Sequence, residues 1–558
     1  MTSFVAEVRR GAGPVRATGI ANPAGSSWIV GDIRLDGRDA LRDTLGAAGV
    51  PTPRDASDAA LAMLAWGAWR ETATERLRGD FSFAIWDARD RVLFCARDPL
   101  GVRPLYWADI GGTFVCSNHL DAVRAHAAVS SQLHEPAIVA FLRFGYNDDL
   151  TTTSFRDVRR LAPAHSLTVR DAQSEISPRR YWNFPVPEPL RLASDEEYLE
   201  RFRDVMNAAV RDRVRGNRVG IMMSGGLDST TLAATARNAV PGVALRAWTL
   251  DDGGSVAADE VRLAASVAAR LDVVHEIVRY QGVPFAHLAV PGFRTPEPLD
   301  EPDWGPWERV LQSVSRDAPT LIIGEDGDSL FRPPGLITML RAWPAHDVVR
   351  RVLAYISSHR RKPHLGLWLR RRLAAPFKRD PGYDPRWLRR EFVDRDRSRA
   401  PASAEVHATR PEAVSYLGDP YWQRYLEAAQ PAYTGVPLET VWPLLDTRLI
   451  EFVFSIPPLP WCQDKELMRV AFRNELPDAV ITRPKSPARG RFERQVAEWR
   501  ASVGGGTVAL SDGVCRFVDT SSALDTLRSG RATDVGVAWR VLVLDQWLRQ
   551  LDRPRGES

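Results

Sequence analysis

The chain reads as an α+β domain followed by an α/β domain built on a parallel sheet. Three observations predict this. Short aromatic and β-branched runs separated by turns fill the first third, a proline-dense break follows at Pro185-Val-Pro-Glu-Pro-Leu, and apolar strands then alternate with helical segments. The 558 residues are too many for one ordinary domain, and 44% hydrophobic against 26% charged residues is globular composition with little room for disorder. The break places the domains at 1–184 and 185–558.

In the first domain, Ser26 to Leu35, Phe81 to Asp87, Val92 to Ala96 and Thr113 to Ser117 alternate large apolar residues with small or polar ones, as half-buried strands require. Leu41 to Gly49 and Ser57 to Trp69 have helical spacing. The second domain opens with a helix over about Asp195 to Arg215. Strand-like Val219-Gly-Ile-Met-Met and Leu245 to Leu250, a helix over Asp259 to Leu271 and a third strand at Leu321-Ile-Ile-Gly follow. A basic insertion at about 341–400 carries Arg360-Arg-Lys, Arg370-Arg-Arg and Arg389-Arg. It reads as a solvated face or as a wall for an acidic or peptidic substrate.

Bulk charge names no partner. Lys and Arg number 74 against 70 Asp and Glu, a net +4 that is far from a nucleic-acid-type excess. Cys95, Cys116, Cys462 and Cys515 are scattered, with no metal-ligand spacing and no disulfide framework, which fits a reducing cytoplasm. No signal core and no membrane-length apolar run are present, so neither export nor insertion is expected.

The strongest chemical signal is Ser224-Gly-Gly-Leu-Asp-Ser-Thr230 between a strand and an Ala-rich helix. Its two glycines let backbone approach a ligand, while helix-start amides and the hydroxyls of Ser224, Ser229 and Thr230 offer donors to phosphate oxygens. A glycine pair alone is also what a tight turn uses. The Gly-Lys-Ser/Thr ending of a Walker loop is missing, and Asp228 would repel a phosphate unless a divalent cation lay between them, which points to Mg2+. A second acidic string, Gly324-Glu-Asp-Gly-Asp-Ser-Leu-Phe331, follows the third strand. Its three carboxylates within four positions repel one another unless a cation or proton absorbs the charge.

The glycine loop resembles the pyrophosphate loop of the ATP pyrophosphatase group, and Gly324 to Phe331 resembles the Gly-Glu-Gly-Ser-Asp-Glu-Leu-Phe segment of asparagine synthetases. That resemblance implies a nucleotide site of Met222, Ser224, Gly225, Gly226, Asp228, Ser229, Thr230, Leu250 and Gly324. It implies Mg2+ held by Asp228 and Asp328, and Glu325 managing the incoming nucleophile. Glu439-Thr-Val-Trp-Pro-Leu-Leu-Asp446 resembles the family's Glu-x-Arg-x-Pro-Phe-Leu-Asp with Val441 replacing Arg. It adds Glu439 to the catalytic set, with Arg448 either a family residue or an ion-pair partner. Lys465, opening a helix, and Lys485 lie 20 residues apart as two active-site lysines of the family do. Lys485 is assigned to the charge developing in the transition state, and Lys465 to the pyrophosphate.

Arg78 to Asp87 and Ala96 to Tyr106 resemble the glutaminase domain of asparagine synthetases. This implies a degenerate class II glutamine amidotransferase domain with the αββα sandwich of N-terminal nucleophile hydrolases. The chemistry is not implied with it. Thr2 stands where the family has a catalytic Cys, and Gly31-Asp-Ile-Arg-Leu-Asp-Gly-Arg replaces the glutamine-pocket string His-Asn-Gly-Glu-Ile. An amine supplied by the substrate itself then suits the chemistry, since tethering replaces a bimolecular encounter with a high effective molarity.

The whole looks most like a lasso peptide cyclase, which adenylates an Asp or Glu side chain of a core peptide and closes a macrolactam with its N-terminal amine. Other amide-forming synthetases of the group, β-lactam synthetase-like or ammonia-dependent, are the alternative. A tRNA-modifying enzyme and an inactive scaffold are further rivals. The implied partners are a ribosomal precursor peptide and, in the same pathway, a leader peptidase and a leader-binding protein, with no nucleic acid or membrane. The 341–399 segment and Pro302-Asp-Trp-Gly-Pro-Trp307 are candidate groove walls.

Overall fold

A computed structural model describes the chain except residues 1–2, 19, 25, 171–175, 254, 281–293, 303, 360–362, 364–383, 398–405, 485–490, 504–508 and 552–558. Thr2, Lys485, Asp303, Arg360-Arg-Lys and Arg370-Arg-Arg lie outside the described residues.

Two antiparallel sheets form the N-terminal half. One runs, neighbour to neighbour, Gly13–Thr18, Val5–Arg9, Thr113–Ser117, Tyr106–Ile110, Arg159–Arg160. The other runs Arg179–Arg180, His165–Arg170, Val92–Arg97, Gly79–Asp87, Ser27–Leu35, Ile20–Ala24. Phe4, Trp28, Trp86, Leu93, Trp107 and Phe114 close the space between them. Helices Arg38–Ala47 and Asp58–Trp69 cover the outer face of the six-stranded sheet through Leu45, Leu61 and Trp66. The second helix starts where Ser57 accepts a hydrogen bond from the Ala60 amide, an N-cap. The outer face of the five-stranded sheet is covered by Glu135–Phe144 and, from the far end of the chain, by Ala532–Leu551. Layers therefore stack helix, sheet, sheet, helix, and the C-terminal helices belong to the core of the first domain's outer layer. Cys95 and Cys116, buried between the sheets with Sγ atoms 3.8 Å apart, are free thiols.

The stretch Pro185 to Leu190 carries neither helix nor strand. After it, the Asp195–Arg213 helix begins at Ser194, which accepts from the Glu197 amide, and ends two residues earlier than its periodicity suggests. The second sheet is wholly parallel, with strand order Val274–Arg279, Ala244–Asp251, Arg218–Met222, Thr320–Ile322, Glu439–Val441. It has five strands where sequence reading gives three, so Leu321 lies on the fourth strand rather than the third. Val274–Arg279 is an edge strand with Val274 and Ile277 exposed, and Glu439–Val441 is only three residues long, so neither shows a strong apolar run. The parallel order places all five carboxyl ends on one side, where a ligand site of such a sheet forms.

A buried ionic seam joins the halves. Arg34, on the Ser27–Leu35 strand, pairs with Asp36 and with Asp80 at 2.5 Å, and Arg213 reaches across to Asp36 at 3.1 Å and Asp446 at 2.6 Å. All of these side chains are 5% exposed or less. Arg448 pairs with Asp446 at 2.7 Å and Asp212 at 2.8 Å, which makes it an ion-pair partner.

Candidate active site at the carboxyl ends of the parallel strands

Met222 ends its strand opposite Trp248, with Leu250 two residues further along that neighbouring strand, and the chain turns from Met223 through Ser224, Gly225 and Gly226 into the Leu227–Ala239 helix. Gly225 has φ +68, and a Cβ there would lie 2.6 Å from the Glu260 carbonyl and 2.9 Å from Leu263 Cβ, so only glycine fits. Within the loop the Gly226 amide donates to Ser224 Oγ at 3.3 Å, the Ser224 amide donates to Ser229 Oγ at 3.2 Å, and Thr230 Oγ1 donates to the Gly226 carbonyl at 2.8 Å. The loop is thereby fixed before any ligand binds, with its helix start aimed along the strands' ends.

The acidic segment packs directly on this helix. A Cβ on Gly324 would sit 2.9 Å from Ser229 Cα, and one on Gly327 would sit 2.5 Å from the Asp228 carboxylate. Both glycines are therefore spacers that let two loops touch. Lys465, 237 residues from Asp228 in sequence, closes the group. Its Nζ lies 2.5 Å from Asp228 Oδ2 and 2.7 Å from Asp328 Oδ1. Burial works to lower the Lys465 pKa, but the two aspartates outweigh it and hold the ammonium above its ordinary range. Asp464 and Lys465 both have left-handed backbone, φ 50 and 58, immediately before the Glu466–Ala471 helix. Two consecutive non-glycine residues in that region are strained, and they aim Lys465 at the aspartates.

The three carboxylates of the acidic string have three different fates. Asp328 faces Lys465. Glu325 is exposed beside them, and desolvation, followed by the charges of Asp228 and Asp328, pushes its pKa up to about 7. Asp326 is 4% exposed with φ 75, and neither carboxyl oxygen has a hydrogen-bond partner among the described residues. Burial, then the charges of Glu325 and Asp228, push its pKa well above the ordinary carboxylate range.

Sequence-predicted site residues therefore divide. The structure brings together Met222, Ser224, Gly225, Gly226, Asp228, Ser229, Thr230, Leu250, Gly324, Glu325, Asp328 and Lys465. It does not bring Glu439 to them. Glu439 begins its strand opposite Thr320, at the end away from Glu325, and accepts from Arg103 Nη2 at 2.7 Å across the domain seam. Trp304 is not a groove wall either. It is 1% exposed and packs with Leu299, Ala428 and Tyr433. Arg469 and Arg483 were missed. Arg469 donates to the carbonyls of Asp464 at 2.9 Å and Arg483 at 3.0 Å, tying the Lys465 turn to the segment at 483, and Arg483 Nη1 lies 3.5 Å from the Gly225 carbonyl. The Arg-x-Lys string around Arg483 was the available signal.

Two carboxylates converging on one ammonium form a cation site. Mg2+ is commonly held by one or two carboxylates, with phosphate oxygens and water completing the octahedron, so Asp228 and Asp328 fit that ion beside a phosphate loop. Among the described residues no group of three or more His, Cys, Asp or Glu could hold a metal without such help.

Comparison with known proteins decides the family. The asparagine synthase profile matches residues 201–549, and the glutamine amidotransferase domain profile matches residues 25–182. The chain belongs to the asparagine synthase family. It is 30% identical over 197 residues to asparagine synthetase [glutamine-hydrolyzing] 3 of Bacillus subtilis, covering 35% of this chain and 31% of that protein. With asparagine synthetase [glutamine-hydrolyzing] 1 of the same organism the identity is 25% over 309 residues, 54% of this chain and 47% of the relative. It is also 31% identical over 160 residues to amidase chyE of Penicillium rubens, covering 28% of this chain and 23% of the relative. These matches span less than half the length of those relatives.

Among solved structures, the glutamine phosphoribosylpyrophosphate amidotransferase of B. subtilis matches with TM-score 0.20 at 13% identity, over 58% of this chain and 60% of that one. The U34-tRNA thiolase NcsA of Methanococcus maripaludis matches with TM-score 0.24 at 12% identity, over 65% and 82%. Scores this low carry no argument. Among the described residues no helix of this asparagine synthase family member is long and apolar enough to cross a membrane.

Proposed function

We propose that this chain is an ATP-dependent amide-bond-forming ligase that adenylates a side-chain carboxylate of a peptide and closes a macrolactam with the peptide's own N-terminal amine, as lasso peptide cyclases do. The observation that carries the reading is a contrast within one molecule. The phosphate loop, its aspartate pair and Lys465 are assembled, whereas the segment replacing the glutamine-pocket string is filled by the buried Arg34, Asp36, Asp80, Arg213 and Asp446 seam. A site equipped to activate a carboxylate, in a chain whose segment at the glutamine-pocket position is engaged in buried ion pairs, takes its nitrogen from elsewhere.

In the proposed reaction a carboxylate oxygen of the peptide attacks the α-phosphorus of ATP, the α–β bridging P–O bond breaks, and pyrophosphate leaves. The amine nitrogen then attacks the acyl carbon, AMP departs with the C–O bond, and the amine gives up a proton. Bound between Asp228 and Asp328, Mg2+ would neutralise phosphate oxygens facing those carboxylates. The chain's own groups do the rest. Helix-start amides and loop hydroxyls bind phosphate, and Lys465 supplies positive charge. With a pKa about 7, Glu325 is poised to accept the amine proton near neutrality.

The test is ATP–pyrophosphate exchange with the linear core peptide encoded beside the gene, with its N-acetylated form, and with L-aspartate plus ammonium. Exchange with both peptides, and ring formation only when the amine is free, are expected. Amide formation from L-aspartate and ammonium instead would assign an ammonia-dependent asparagine synthetase.

A further inference from the structure

The Pro420–Ala428 helix presents Tyr421, Trp422 and Tyr425, all half-buried, and Tyr425 packs on Trp442, which leaves the Glu439–Val441 strand beside the neighbouring strand that leads through Ile323 to Glu325. Their ring centroids form a triangle with sides of 5.7, 5.6 and 6.3 Å. The triangle is braced at both ends. Trp442, 1% exposed at the carboxyl end of the Glu439–Val441 strand, meets Tyr425 edge-on at 5.6 Å, and Tyr146 of the N-terminal half meets Tyr421 edge-on at 6.1 Å. Arg424 lies over Tyr421 at 5.1 Å and reaches Glu301 at 3.5 Å, so that acid and one ring face are already engaged. Glu325 makes no ion pair or hydrogen bond among the described residues, yet burial and then its charge raise the Tyr425 phenol, and burial, Glu301 and Glu325 raise that of Tyr421.

Ring faces and an adjacent carboxylate share one preference, for a cation with apolar matter attached. An anionic side chain would be repelled by Glu325 and suits the Lys465 side of the site. Free ammonia needs no platform of three rings. Three rings in mutual contact, with centroids about 6 Å apart, present a surface about as long as two residues of extended chain.

We propose that Tyr421, Trp422 and Tyr425 form the subsite for the amine-bearing end of a peptide substrate, holding its first side chains on the ring faces with the amine toward Glu325. This rests on the peptide-closing reading above. The rings are positioning residues for the nucleophile and act after the carboxylate is activated.

The experiment measures AMP released per macrocycle formed, together with pyrophosphate exchange, using the linear core peptide encoded beside the gene and the full chain. Trp422→Ala and Tyr425→Leu should raise the AMP-to-macrocycle ratio at least tenfold, because the adenylate loses its tethered amine to water. At saturating N-acetylated peptide the exchange rate should reach the parent maximum, with the weakened hold on the first side chains appearing as a raised KM, and Tyr425→Phe should keep parental coupling because the ring is retained. Where Trp422→Ala lowers the melting temperature, Tyr421→Leu gives the same readout from the outer ring. Parental coupling in the leucine and alanine variants overturns the subsite while leaving the ligase intact. Absence of exchange in the parent enzyme with either peptide overturns both.

Discussion

The Lys465 ammonium sits 2.5 Å from Asp228, the one aspartate of the phosphate loop, and the same nitrogen reaches Asp328 at 2.7 Å. A lysine thus already stands on the carboxylate pair that suits a divalent cation. Lys465→Met leaves two like charges facing each other, so it should lower stability by about 1–3 kcal/mol, and added Mg2+ should restore part of it. Exchange should fall about 100-fold or more. Thermal melts with and without Mg2+, and exchange rates, check both. Equal melting of parent and variant in metal-free buffer would show that the contact does not hold the site.

Gly327 leaves the space the Asp228 carboxylate occupies. Gly327→Ala puts a methyl 2.5 Å from that carboxylate and should weaken Mg2+-dependent nucleotide binding at least tenfold, with about 1–3 kcal/mol of stability lost to overpacking. Calorimetric titration with a non-hydrolysable ATP analogue measures the first and denaturant melts the second.

Asp326 is a strained residue whose strain can be relieved. A non-glycine residue at φ 75 carries about 1–2 kcal/mol of backbone cost, and its carboxyl is buried with no hydrogen-bond partner among the described residues. Asp326→Gly should therefore stabilise the protein by about that amount or more, read as a higher denaturant midpoint.

Glu325 sets the pH response. Its folded-state pKa of about 7 lies above the unfolded value of about 4.3. The folded chain therefore keeps a proton that the unfolded chain loses, and stability declines as pH rises through that window. Ring closure should rise over the same range with an apparent pKa about 7 as the base form appears, and Glu325→Gln should remove that limb from a single-turnover pH profile. At the domain seam the sign reverses. Although Asp446 is buried, Arg213 and Arg448 depress its pKa, so its contribution is present above the ordinary carboxylate range and is lost as pH falls through and below that range. Arg213→Met, which leaves Asp36 with Arg34 alone and Asp446 with Arg448 alone inside the buried seam, should cost about 3 kcal/mol.

Much of this was legible because local chemistry demanded it. Ser224 to Thr230 could be read as a phosphate loop from its glycines and hydroxyls, and Gly225 occupies the backbone region only glycine takes freely. Lys465 was readable only through motif spacing, since no local rule joins residues 237 positions apart. Glu439 was misplaced because a motif does not say which end of a three-residue strand a side chain occupies, and Arg103, 336 positions away, decides it. Trp304 looked like a wall because tryptophan suits both surfaces and cores, and the packing of Ala428 and Tyr433 against it settles the matter. The edge strand Val274–Arg279 escaped notice because its exposed Val274 and Ile277 blur the alternation.

The central claim is that a carboxylate is activated as an acyl-adenylate at the Asp228, Asp328 and Lys465 cluster. Labelling the side-chain carboxylate oxygens of the core peptide with 18O and weighing the nucleotide products tests it most directly. One labelled oxygen should be found in AMP, in step with macrocycle formed. Unlabelled AMP, or ADP with the label in inorganic phosphate, would contradict it.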